Sequence, residues 1–148
     1  MRYKLYIYMA IFTFWGCSNS KPKVLAKNHS QKVEINCQDT FQVDTINNIE
    51  ITITNHSHSL VFLGEDYEIE RCVKDSWINL PLTIAYNSIG YKIGNGMSVK
   101  MKIPLLKEQY KYKSDFYRIS KRIRYIDGHS DTIYASFYLL NSNASLSQ

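Results

Sequence analysis

No run in these 148 residues is long and apolar enough to cross a membrane as a helix, which takes roughly 20 apolar residues. The longest candidate, Leu5 to Trp15, is shorter and is softened by Tyr6, Tyr8 and Thr13. Cysteine is scarce, with Cys17, Cys37 and Cys72 the three present. An excess of one charge sign is also missing. The net charge is +5, and removing Arg2 and Lys4 with a leader leaves 16 basic against 13 acidic residues, or +3. That is too mild to predict nucleic-acid binding. No internal repeat or low-complexity block follows residue 32. Catalytic signatures are absent as well: the chain has no G-x-S-x-G, H-E-x-x-H, Walker or Rossmann pattern. The expectation is a protein that is not an enzyme and needs no cofactor.

What is present begins with an ordered leader. Arg2 and Lys4 make a positive start, the apolar run follows, and Gly16-Cys17 closes it with small residues. That order describes a secretory signal peptide over residues 1–16. The cysteine at its exit resembles the lipobox of bacterial lipoproteins, with Gly16 in its usual place and Phe14 and Trp15 where smaller residues are commoner. The resemblance implies that Cys17 becomes the first mature residue and carries the acyl chains, palmitate among them, that anchor the protein to a membrane. The alternative is an incidental cysteine in a plain leader. Residues 17–32 are polar, rich in Lys, Ser and Asn, and suit a tether. Residues 141–148 form a polar tail.

From residue 33 to 140 the chain alternates with a period of two. "IEITITN" sets Ile49, Ile51 and Ile53 against Glu50, Thr52 and Thr54. "LVFL" is the unbroken run of a central strand, and "YEIERCV" places Tyr67, Ile69 and Val73 on one side. "SVKMKI" opposes Val99, Met101 and Ile103 to Lys100 and Lys102. "FYRISKRIRYI" aligns Tyr117, Ile119, Ile123 and Tyr125, and the last run turns Ile133, Ala135, Phe137 and Leu139 inward. The one helix candidate is a turn or so between Leu105 and Tyr112. About seven short strands separated by turn residues predict an all-β, antiparallel sandwich in which each sheet buries one face.

Residues 45–140 also resemble a bacterial immunoglobulin-like domain of cell-envelope proteins. The residues that carry this are Gly64, Glu65, Asp66, Tyr67 and Glu70, then Trp77, and then Tyr117, Arg118 and Ile119. Asp115 stands where that pattern has glycine. The resemblance implies an adhesive, spacer or partner-binding module, with Tyr117 as a tyrosine corner, and it carries no catalytic residue across.

Four groups of side chains invite a chemical reading. If Cys17 is acylated, Cys37 and Cys72 remain as an even pair in an oxidising compartment. A bridge between them would close a loop of about 36 residues. Parity opposes it, since Cys37 turns inward with Val33 and Ile35 while Cys72 turns outward with Glu68 and Glu70. A bulge could reverse one face, so a bridge and two free thiols both stay open. His56 and His58 could chelate a metal, but "NHSHS" is also ordinary turn chemistry, and neither His29 nor His129 stands at a ligand spacing from the pair. Glu65, Asp66, Glu68 and Glu70 have no local feature to split their pKa values for acid–base work. Finally, Arg118, Arg122 and Arg124 share the outward parity of one strand, and Tyr134 and Tyr138 that of the next. They form a partner-binding face or simply pair with Glu68 and Glu70.

The expectation is therefore an envelope lipoprotein with a non-catalytic immunoglobulin-like binding or accessory module. Its partner would be an envelope protein or a polysaccharide. The alternative is a periplasmic small-ligand or metal-binding protein that uses His56 and His58.

Overall fold

A computed structural model describes residues 32–142. The leader, Cys17, the tether up to residue 31, and the tail from residue 143 lie outside the described residues. Ten strands follow in order. They are β1 Val33–Cys37, β2 Thr40–Gln42, β3 Asn48–Asn55, β4 Val61–Leu63 and β5 Glu68–Val73, then β6 Ser76–Asn79, β7 Tyr91–Ile93, β8 Ser98–Pro104, β9 Asp115–Tyr125 and β10 Ser130–Leu140. The small sheet has the order β1-β3-β8. The large sheet runs β2-β10-β9-β4-β7, with β5 also paired to β9 and β6 to β5. No α-helix occurs among the described residues.

The alternation works as expected. Ile49, Ile51 and Ile53 point from β3 into the sandwich and meet Ile119 and Ile123 of β9 and Ile133, Phe137 and Leu139 of β10. Cys37, Val73 and Val99 are only half-buried, and the other inward positions named above leave water. Each fully buried Ile, Leu or Phe side chain contributes about 1.5–3 kcal/mol, set against the entropy of ordering the chain.

Two features differ from the sequence expectation. The described residues form ten strands, not about seven, the additions being β2 and β7, with three residues each, and β6, with four. Such short runs carry too little alternation to stand out and become strands only through their partners. One pairing, β2 with β10, is also parallel. The chain leaves the small sheet after Cys37 and joins the large one without reversing direction. The Tyr138 amide donates to the Asp39 carbonyl (2.7 Å) and the Val43 amide to that of Leu140 (2.8 Å), which ties the two sheets along one edge.

The helix candidate is a single turn. The Leu106 carbonyl accepts from the amides of Gln109 (2.9 Å) and Tyr110 (3.3 Å), and the pattern does not propagate. Tyr117 is a tyrosine corner: its hydroxyl donates to the Lys113 carbonyl at 3.1 Å and accepts from the Lys113 amide at 3.2 Å. Asp115, in the place of a family glycine, accepts from Arg71 Nε at 2.7 Å and fastens β5 to the start of β9.

Cys37 and Cys72 are both free thiols, so the bridge that cysteine arithmetic allowed is not formed. The parity argument explains why. Cys37 packs against the core with its Sγ 3.7 Å from the Ser136 carbonyl, whereas Cys72 faces outward on β5 opposite Trp77. No bulge turns either of them over. Chain carrying Cys17→Ser, denatured without reductant, should titrate two thiols. In the folded protein Cys37 should alkylate slowly at pH 8, because burial pushes its thiol up to about 11. The reactive thiolate is then about one molecule in a thousand. A count of zero thiols would mean that the bridge forms in solution.

Candidate binding face of the large sheet

β9 is eleven residues long and meets different neighbours along its length. Its first half pairs with β5, through Glu68↔Ser120 and Glu70↔Arg118. Its end pairs with β4, through Phe62↔Arg124 and Val61↔Tyr125. β10 runs along the whole opposite edge. The outward arginines of one strand therefore stand in two environments.

The first half is closed. The Arg118 guanidinium lies 4.3 Å from the centroid of the Trp77 ring and 4.1 Å from that of Tyr134. Its Nε donates to the Glu70 carboxylate, and the two side chains are only 14% and 13% exposed. Phe116 stacks on Tyr138 at 4.5 Å and meets Trp77 at 5.4 Å. Although outward-facing, Phe116 is 9% exposed. A cation held between two ring faces and a carboxylate is a packed structural group, as the charge-pairing alternative expected for Glu70. Glu68 instead accepts from Asn79 at 3.2 Å.

The second half is open. On its outer face Lys92, Phe62, Arg124 and Ser130 form a cross-strand row over β7, β4, β9 and β10, and Arg122 and Thr132 stand in the next row. All of these but Thr132 line a cleft of about 720 Å³ whose wall also includes Gly64, Asp66 and Tyr91. Phe62 is half-buried, while Lys92, Arg122 and Arg124 are exposed. None of these three cations has an ion-pair partner among the described residues. Sequence parity placed Arg122 and Arg124 correctly. It missed Lys92 and Phe62, which belong to strands whose neighbours only the fold reveals.

Beneath this cleft lies a residue that parity points inward: Lys121, 1% exposed. β9 has no strand partner on one edge between Ser120 and Arg124, because the chain loops out between β4 and β5. The Lys121 ammonium donates to the loop carbonyls of Gly64 (2.6 Å) and Asp66 (2.5 Å). Burial pulls its pKa down to about 8, against the pull of the nearby Asp66 and Glu65 carboxylates. At neutral pH it stays a cation clamping the loop. A Cβ at residue 64 would fall 2.5 Å from Asp66 Oδ1, so a larger residue there would turn that exposed carboxylate aside. Tyr67 anchors the far end, its hydroxyl donating to the Pro104 carbonyl at 3.0 Å. Within the "GEDY" stretch, Gly64 and Asp66 thus line the cleft while their carbonyls cover a buried lysine.

The histidine pair does not converge. His56 Nε2 lies 3.3 Å from Glu34 Oε2, His58 is exposed, and no group of three potential ligands occurs among the described residues. The metal-binding alternative finds no site there. Turn chemistry accounts for the stretch instead. Asn55 Nδ2 donates to the carbonyls of Ser59 (2.8 Å) and Ile93 (2.9 Å), and its Oδ1 accepts from the Ser57 hydroxyl at 2.6 Å.

A search of curated proteins finds no match. Among solved structures, the archaellum periplasmic stator protein FlaG from Sulfolobus acidocaldarius is similar, with 12% identity over 71% of this chain and 99% of that one, at a TM-score of 0.40. The sequence model of the bacterial Ig-like domain matches residues 29–138. With ten strands in two facing sheets, a tyrosine corner and that match over most of its length, the chain belongs to the bacterial Ig-like domain family.

Proposed function

We propose that this chain is an envelope lipoprotein, anchored through acyl chains on Cys17, whose Ig-like domain is a non-catalytic binding or accessory module. Family membership supports the accessory role. The order of positive start, apolar run and Gly16-Cys17 supports the anchor. The observation that carries the binding role is the division of one outward arginine row. Arg118, with Tyr134 and Tyr138, is consumed by packing, whereas Arg122 and Arg124 stand unpaired beside Lys92 and Phe62. Three exposed cations with no ion-pair partner among the described residues, set around a half-buried aromatic ring, add little to folding, so a ligand or partner is their natural complement.

One acyl chain binds a membrane only marginally, so stable anchoring needs the several chains that lipoprotein processing adds. In a bacterial host, Cys17→Ser should move the protein from the membrane to the soluble fraction and abolish labelling by a fatty-acid analogue. Unchanged labelling of that variant would refute the anchor.

A further inference from the structure

We propose that the Phe62 cleft is a subsite for a carboxylate-bearing polysaccharide, a polyuronate-type chain. This rests on the binding-module reading above and names its ligand class. Three features converge. The cations are unpaired and fixed by strand register: Lys92 and Arg124 lie two strands apart, about 10 Å, and Arg122 and Arg124 two residues apart, about 7 Å. A ligand with acidic groups repeated along a chain meets such an array at more than one point, and each carboxylate matches an arginine fork. Between the cations lies Phe62, a half-buried ring rather than another charge. The apolar face of a sugar ring stacks its C–H groups on the negative face of an aromatic ring, while acid groups at its edge reach outward. The rim adds hydroxyl-binding groups, with Ser130 opposite Arg124 and the Asp66 carboxylate on the loop.

Shape separates this ligand from the other anionic surface of an envelope, the lipid headgroups. A membrane is a plane and engages protruding cations. Here the cations line a concavity of about 720 Å³, within the range of ligand sites, which a chain segment can enter. Asp66 on the wall would also face headgroup phosphates at close range, whereas a sugar hydroxyl can donate to it.

Lys121 gives the cleft its rigidity. By holding the Gly64 and Asp66 carbonyls from below, it fixes the wall before any ligand arrives, so little ordering cost falls on binding.

The test uses the full chain carrying Cys17→Ser, so that no acyl group complicates the membrane arm. The probes are polygalacturonate oligosaccharides, the same oligosaccharides as methyl esters, and phosphatidylglycerol vesicles, all at low salt. The expected result is binding of the free acid that weakens as salt rises, with the ester at least about tenfold weaker. Arg122→Gln with Arg124→Gln should weaken binding by about tenfold or more for each guanidinium removed, at unchanged melting temperature. Lys102→Gln, on the small sheet, should leave binding as it was. Equal binding of acid and ester, undiminished binding by the double variant, or binding of vesicles alone would overturn the proposal. Failure to bind polyuronate, with the double variant still losing a protein partner crosslinked on intact cells, refutes the ligand class but keeps the face. Partner capture that survives the double variant at full strength overturns the face itself.

Discussion

Lys121→Ala is expected to lower stability by about 3–5 kcal/mol, which for a domain of this size moves the melting temperature by roughly 15 °C. The change removes two charge-assisted hydrogen bonds and leaves the Gly64 and Asp66 carbonyls without their donor, at about 1–3 kcal/mol each. It also opens a cavity where a long side chain was 1% exposed. Lys121→Met separates the two effects. It keeps the volume, loses the clamp and removes a desolvated charge, so its cost should be smaller.

The same residue predicts a pH signature. A lysine whose folded pKa is depressed to about 8, from an ordinary value near 10.5, binds fewer protons folded than unfolded between those limits. Stability attributable to it therefore rises with pH across that window. Buried tyrosines such as Tyr67, pushed up to about 12, act with the opposite sign above pH 10, but equally in wild type and variant. The melting-temperature gap between wild type and Lys121→Met should thus widen by several degrees from pH 8 to pH 10. A constant gap in thermal melts followed by circular dichroism would show that the ammonium is not desolvated as the fold implies.

The second large effect is expected at Arg118. Replacing it by alanine empties the space between Trp77 and Tyr134 and strands the Glu70 carboxylate, which is 13% exposed. Breaking one side of such a shielded pair should cost about 2–4 kcal/mol, far above the tenths expected of an open surface pair. Arg118→Lys should recover little of it, because a compact ammonium cannot lie flat between two rings while also meeting the carboxylate. A cycle with Glu70→Gln should give a coupling energy above about 1 kcal/mol. Arg122→Gln, on the same strand and face, should leave chemical denaturation unchanged. If Arg118→Ala also leaves it unchanged, the closed half of the sheet is not closed in solution.

That contrast marks where sequence reading stops. The alternation of "IEITITN" and of the last two strands dictated which side chains leave water, because a strand's faces are set by period two alone and need no knowledge of its neighbours. The sandwich and its inward isoleucines were legible for that reason, while the corner at Tyr117 came from the family resemblance and the turn at Asn55 and Ser57 from the local hydrogen bonding of Asn and Ser side chains. Parity likewise sent Arg118, Arg122 and Arg124 outward together and set Cys37 and Cys72 on opposite sides.

Period two does not say which strand lies alongside. β9 meets β5 and β6 at one end and β4 and β7 at the other, so Arg118 finds Glu70, 48 positions away in sequence, while Arg124 finds Phe62 and no carboxylate. Lys121 could be assigned its clamp only once the loop after β4 had been placed against it, across separations of 57 and 55 positions. The parallel β2–β10 edge and the lysine across from Phe62 have the same origin. Which face a residue occupies is a local property of the extended chain. Whether its charge is neutralised, stacked or left for a ligand depends on contacts that chain entropy keeps apart until the whole sandwich has closed.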